Sequence, residues 1–142
     1  MNDFVATVKP VSEEEATGKI AEIFADIRTT KQIDFVPNLW RVLATNPDHL
    51  EMVWTRLRDL MHPEAAGRSF RLDPLTREIV ALAVSVTNGC SYCINSHTAA
   101  VLKLGLDKDA LGEVLAIVGL FNTTNAVADG YQVKPDILPP QE

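Results

Sequence analysis

Apolar residues along this chain recur mostly at spacings of three and four, the signature of helices that bury one face. Ile20, Ile23, Phe24 and Ile27 form such a stripe. Ser12 with Glu15 makes a capping box, with Val11 in the staple position, so a helix is expected from about residue 13 to 28. TTKQIDFVP is a connection ended by Pro37, and Leu39, Trp40, Val42 and Leu43 predict a short helix over 38–45. Asn46-Pro47 is a strong start signal for a helix to about Met61. That helix should bury Leu50, Val53, Trp54, Leu57 and Leu60. HPEAAGRSF reads as a polar loop with room for one helical turn. Asp73-Pro74 repeats the start signal and opens a helix over 74–88. Its interior, IVALAVSV, is apolar on nearly every side, which predicts burial. A further helix is expected over about 90–104, stopped by Gly105. Asp107 caps a last one to about Ala128, again apolar through LAIVGLF.

The ends, 1–10 and 133–142, read as extended, and no repeat or linker divides the chain. The expectation is a single domain over 1–142, all-α, a bundle of about six helices. IVALAVSV is also rich in β-branched residues and would suit a strand feeding a CxxC helix, as in thioredoxin. No other stretch offers that strand a partner, and the Asp73-Pro74 cap announces a helix.

Composition narrows the function. A chain of 142 residues, 46% hydrophobic but only 6% aromatic, fits an Ala/Val/Leu-rich helical protein. A net charge of −6 with scattered basic residues argues against nucleic acid and anionic membranes. No uninterrupted apolar run approaches the roughly 20 residues that span a bilayer. MNDFVATVKP lacks the basic flank and apolar core of a signal peptide, so the cytoplasm is the expected location. In a reducing compartment a CxxC pair is more often catalytic or metal-binding than a structural staple.

The chemistry gathers in NGCSYCINSH, residues 88–97, which holds both cysteines and one of three histidines. On a helix, steps of three and four place Cys90, Cys93 and His97 on one face. Residues three apart have Cα atoms about 5 Å apart, within reach of a disulfide. Thiols in a first helical turn see unpaired N–H groups and the positive end of the dipole, which favour the thiolate. His97 lies four residues after Cys93 and two turns from Cys90, which makes Cys93 the better candidate for a histidine-activated nucleophile and Cys90 the resolving thiol.

Glu78 is the fourth candidate. It shares a stripe with Leu75 and Leu82, so its carboxylate should face inward, a setting that suits a proton acceptor. The competing reading pairs it with an arginine such as Arg77 or Arg71. On one straight helix, Glu78 and Cys90 would lie about 18 Å apart. A shared site therefore requires the chain to turn back near Asn88-Gly89. Cys90, Cys93, His97 and Glu78 are also zinc-compatible ligand types. Because CxxC zinc sites ordinarily draw on a distant second pair, which is missing here, neither a metal nor another cofactor is expected. His49 and His62 read as surface residues, Trp40 and Trp54 as core.

Glu78, eleven residues, then Cys90-x2-Cys93-x3-His97 resembles the alkylhydroperoxidase D-like, peroxidase-related branch of the carboxymuconolactone decarboxylase superfamily. The likeness is carried by LDPLTREIVALAVSVTNGCSYCINSHTAAVLKLG, with VPNLWRVLATNP as a lead-in, and the core motif region is taken as 72–128. The resemblance implies an all-α fold in which a helical hairpin brings the glutamate to the CxxC helix, and a homo-oligomer, trimer or hexamer. It implies a thiol peroxidase with Cys93 peroxidatic, Cys90 resolving, and Glu78 and His97 relaying protons. A peroxide would be the substrate, and a lipoyl-type or thioredoxin-like dithiol the reductant. One departure is Tyr92, where the best-known members carry histidine; tyrosine is no base near neutral pH. The decarboxylases of the superfamily lack the CxxC pair, so lactone decarboxylation is not expected. The alternative function is a disulfide-exchange or redox-sensing protein with little peroxidase activity, for which Glu78 would be dispensable.

Overall fold

A computed structural model of the chain describes residues 5–141, and these are all-α, without strands. Two compact units divide the chain, Met1–Arg71 and Leu72–Glu142, so the expected core motif region begins where the second unit does.

The first unit contains α1 (Gly18–Lys31), α2 (Asn38–Leu43), α3 (Pro47–Met61) and a 3-10 turn over Pro63–Ala66. Phe24, Ile27, Val36, Trp40, Ala44, Leu50 and Trp54 are its buried core. Trp40 and Trp54 pack edge to face, ring centroids 5.1 Å apart, an arrangement the aromatic quadrupole favours. The Trp54 indole N–H donates to Asp26 at 2.7 Å, and Arg58 donates to the same carboxylate oxygen at 3.0 Å. A buried indole needs such an acceptor, and Asp26 ties α1 to α3 by supplying it. Asn46 caps α3 as expected, accepting from the His49 N–H. His49 is exposed as expected, whereas His62 is half-buried.

Two further expectations in this unit fail. The capping box forms, Ser12 and Glu15 exchanging bonds of 3.1 and 3.2 Å, but it closes only a turn over residues 13–15. Gly18 has φ 53°, outside the right-handed region, so the helix starts there rather than at residue 13. Glu13 is instead held by the Val36 N–H at 2.7 Å and by Arg28. Leu60, expected to be buried, is 63% exposed, because it lies off the Leu50–Trp54 face of α3.

The second unit contains α4 (Pro74–Asn88), α5 (Ser91–Lys103) and α6 (Lys108–Gly130), with α4 packed on both of the others. Asp73 caps α4; bonds from Thr76 hold its carboxyl below the usual carboxylate range. Asp107 caps α6, accepting from the Ala110 N–H at 2.8 Å. Between α4 and α5 the chain reverses on one residue. Gly89 takes φ 70° and ψ 31°, its N–H bonds the Val86 carbonyl at 3.2 Å, and the Cys90 N–H bonds the Ser85 carbonyl at 3.1 Å. These two bonds are a Schellman motif, which ends a helix at a left-handed residue and satisfies its last carbonyls. The tail 133–141 has no regular secondary structure, residues 5–8 are bends rather than the extended lead-in expected, and residues 1–4 and 142 of the ends expected to be extended lie outside the described residues.

The expectation that IVALAVSV is buried is corrected, and LAIVGLF, also apolar, is covered on one face only. Leu82 and Ser85 of α4 and Val118 of α6 are buried, but Val80, Val84, Leu115, Ile117, Leu120 and Phe121 are each more than 40% exposed. Each helix presents only one face to its neighbours, and three helices have too few faces to cover an apolar cylinder on every side. α6 is also the one helix among the described residues long and apolar enough to cross a membrane by length and composition. Counting uninterrupted apolar residues missed this, because Asn122-Thr123-Thr124-Asn125 breaks the run. Core helices of soluble proteins meet the same measure, so it does not by itself place α6 in a bilayer.

Two substitutions test these constraints by denaturant unfolding. Asp26→Ala should destabilise by about 1–3 kcal/mol by orphaning the Trp54 N–H. Gly89→Ala should cost about 1 kcal/mol through the left-handed backbone alone, since a Cβ there meets nothing within 4 Å; a loss several times larger would show a steric role that the structure lacks.

Candidate functional site

The reversal at Gly89 lays α5 back along α4 and brings together residues 19 positions apart. His97 Nδ1 stands 2.7 Å from Glu78 Oε2, with 26% and 15% of the two side chains exposed. Glu78 thus pairs with the histidine across the hairpin. With the carboxylate ionised it can only accept, so Nδ1 carries the hydrogen and Nε2 is left as the imidazole's second working nitrogen. The carboxylate therefore selects both the tautomer and the orientation of the ring.

Cys90 and Cys93 are joined by a disulfide, with Cα atoms 5.3 Å apart. This matches the separation expected from i, i+3 helical spacing. Cys90 is not inside the helix, as the expected start near residue 90 had it. It is the N-cap, with extended φ −85° and ψ 93°, and its Sγ accepts from the Cys93 N–H at 3.2 Å. Its carbonyl accepts the first helical bond, from the Ile94 N–H at 2.8 Å. A cysteine sulfur here takes the place normally filled by a serine, threonine or aspartate oxygen. The first turn of α5 holds no acidic residue, so nothing there offsets the positive end of the helix dipole. Both cysteines are half-buried, whereas Tyr92 between them is 42% exposed.

All four expected residues therefore lie on one hairpin: Glu78 on α4, Cys90 at the cap of α5, Cys93 and His97 on its first two turns. Cys93 and His97 are helical neighbours four residues apart. Reading the sequence missed two features. One is the capping role of Cys90, for which the signal was the glycine before it, a helix stop directly abutting a helix start. The other is the Thr87 hydroxyl bonded to the Asn122 side chain at 3.1 Å, which fastens the end of α4 to α6. No local pattern announces a bond across 35 positions.

Comparisons with known proteins agree with this geometry. The profile of the carboxymuconolactone decarboxylase family matches residues 56–133. The crystal structure of an alkylhydroperoxidase AhpD core from Rhodospirillum rubrum superposes with a TM-score of 0.85 at 41% identity, covering 94% of this chain and 96% of that one. An alkyl hydroperoxide reductase AhpD from Solibacter usitatus is 35% identical over 97 residues, 68% of this chain and 50% of that protein. An (R)-2-haloacid dehalogenase from Pseudomonas putida is 28% identical over 111 residues, 78% of this chain and 35% of that protein. The chain spans about a third to a half of the length of these two curated relatives. With the motif, the hairpin and these matches in agreement, the chain belongs to the carboxymuconolactone decarboxylase family, as an AhpD-like member.

Proposed function

We propose that this protein is a thiol-dependent alkylhydroperoxidase that works through a Cys90–Cys93 dithiol/disulfide cycle. The observation that carries this reading is the Glu78–His97 pair, set on the same hairpin as a CxxC disulfide. The AhpD-named relatives support it at the level of reaction class. A hydrolytic reading, suggested by the dehalogenase relative, gives the dithiol nothing to do.

In the proposed cycle the Cys93 thiolate attacks one oxygen of the peroxide. The O–O bond breaks, the alkoxide leaves and takes a proton, and Cys93 becomes a sulfenic acid. The Cys90 thiolate then attacks Cys93 Sγ, releasing water after one more proton and closing the disulfide. His97, oriented by Glu78, accepts the Cys93 proton and returns one to the departing oxygen. An external dithiol, lipoyl-type or thioredoxin-like, restores both thiols and is itself oxidised. Tyr92 holds no proton-accepting nitrogen, so the relay in this chain rests on His97 and Glu78 alone. The protein further acts as a homo-oligomer, a trimer or hexamer, in which other copies cover the apolar faces of α4 and α6.

Steady-state peroxide consumption with a dithiol reductant tests the cycle. Cys93→Ser and Cys90→Ser should each abolish turnover, and Glu78→Gln should lower it by roughly 10- to 100-fold while leaving the disulfide able to form. Full activity in both cysteine variants would falsify the cycle, and full activity in Glu78→Gln would remove Glu78 from the proton relay. Light scattering at micromolar concentration should give a mass of at least three chains; a monomer would remove the oligomer from the proposal.

A further inference from the structure

We propose that the disulfide of this site is opened in one direction only: the incoming reductant thiolate bonds to Cys93, and Cys90 leaves as the thiolate. The inference rests on the dithiol cycle proposed above and adds to it the order of bond exchange. Its basis is the inequality of the two sulfurs. Cys90 Sγ sits at the N-terminus of α5 and already accepts the Cys93 N–H at 3.2 Å while still in the disulfide. When the S–S bond breaks, the negative charge that develops on Cys90 meets an amide already aimed at it and the uncompensated end of the helix dipole. Cys93 lies within the helix, and among the described residues no backbone N–H bonds its sulfur. Its helical neighbour is His97, whose Nδ1 is engaged by Glu78.

Thiol–disulfide exchange is fastest when the better-stabilised thiolate is the leaving group. Neither cysteine is closed to an incoming thiolate, because both are half-buried rather than buried. The steps balance as follows. A reductant thiolate attacks Cys93 Sγ, a new S–S bond forms to Cys93, and the electron pair of the old bond goes to Cys90. The second thiolate of the same reductant attacks the reductant sulfur of that mixed disulfide, and Cys93 departs as a thiolate. The two protons released by the dithiol end on the protein thiols or in solvent. Protein disulfide and dithiol thus become protein dithiol and reductant disulfide, a two-electron exchange. The same stabilisation suits Cys90 to the other half of the cycle, where it waits as a thiolate to resolve the sulfenic acid on Cys93.

The partition can be read without peroxide, which separates it from the peroxidase reading. Oxidised wild-type protein is mixed with excess glutathione, quenched within seconds by acidic N-ethylmaleimide, and mapped by tandem mass spectrometry. Glutathione on Cys93 with maleimide on Cys90 should exceed the reverse by about 5-fold or more, the factor expected from a favourable helix dipole alone. The thiolate absorbance of Cys93→Ser should also appear at lower pH than that of Cys90→Ser, since the amide of residue 93 is retained in the former. Glutathione mainly on Cys90, an even split, or no adduct on either cysteine overturns the proposal. A clean Cys93 adduct in a protein that consumes no peroxide would uphold it and sink the peroxidase cycle instead.

Discussion

The hydrogen bond from the Cys90 N–H to the Ser85 carbonyl, closed over a left-handed Gly89, is the constraint on which the candidate site depends. It ends α4, reverses the chain and places the N-terminal turn of α5 in a single step. Glu78 and His97 can meet only because this turn is short and rigid. Side-chain bonds support the reversal rather than create it: Thr87 to Asn122 holds the end of α4 against α6, and Glu78 to His97 joins the two arms further along. A longer or looser connection would leave a carboxylate, an imidazole and two sulfurs with no fixed relation.

Within that hairpin the chemistry is divided between backbone and side chains. Helix α5 supplies the positive electrostatic environment for the sulfur at its cap through peptide groups, which do not titrate. Glu78 and His97 supply a side-chain pair joined across the hairpin. The two sulfurs, only three residues apart, therefore see different surroundings, one governed by the amide of Cys93 and the other by the turn that holds His97. An apparently symmetrical CxxC becomes polar because a helix begins between its two cysteines.

Much of this was legible in the sequence because it is local. Asn46-Pro47 and Asp73-Pro74 mark helix starts through the residue types that can bond a free N–H, and the structure begins α3 and α4 there. The 3 and 4 spacing of Cys90, Cys93 and His97 anticipated a disulfide-compatible helix face, and the need for a reversal at Asn88-Gly89 followed from the length of α4. Where the reading failed, competing interactions lay elsewhere in the chain. The Ser12–Glu15 pair forms as written, but Gly18 stops it from seeding a long helix, and Glu13 is drawn off to Val36 and Arg28. Apolar composition alone could not say which face of α4 or α6 would be covered, because that depends on how many neighbours each helix has. The partner of Glu78 was equally hidden: nearby arginines were plausible by sequence, and only the fold brings His97 within hydrogen-bond reach.

The eleven residues between Glu78 and Cys90 act as an angular ruler. Each residue of a helix turns its side chain by about 100° relative to the last. Inserting or deleting one residue between Glu78 and Gly89 would swing the carboxylate about a third of the way around α4, out of reach of His97, while leaving the helix itself intact. A change of one full turn would restore the direction but slide the carboxylate along the axis by about 5 Å, past the imidazole. Indels in this stretch would thus part Glu78 from His97 and turn Leu82 or Ser85 off the buried face as well, so the spacing of the motif is itself a part of the candidate site.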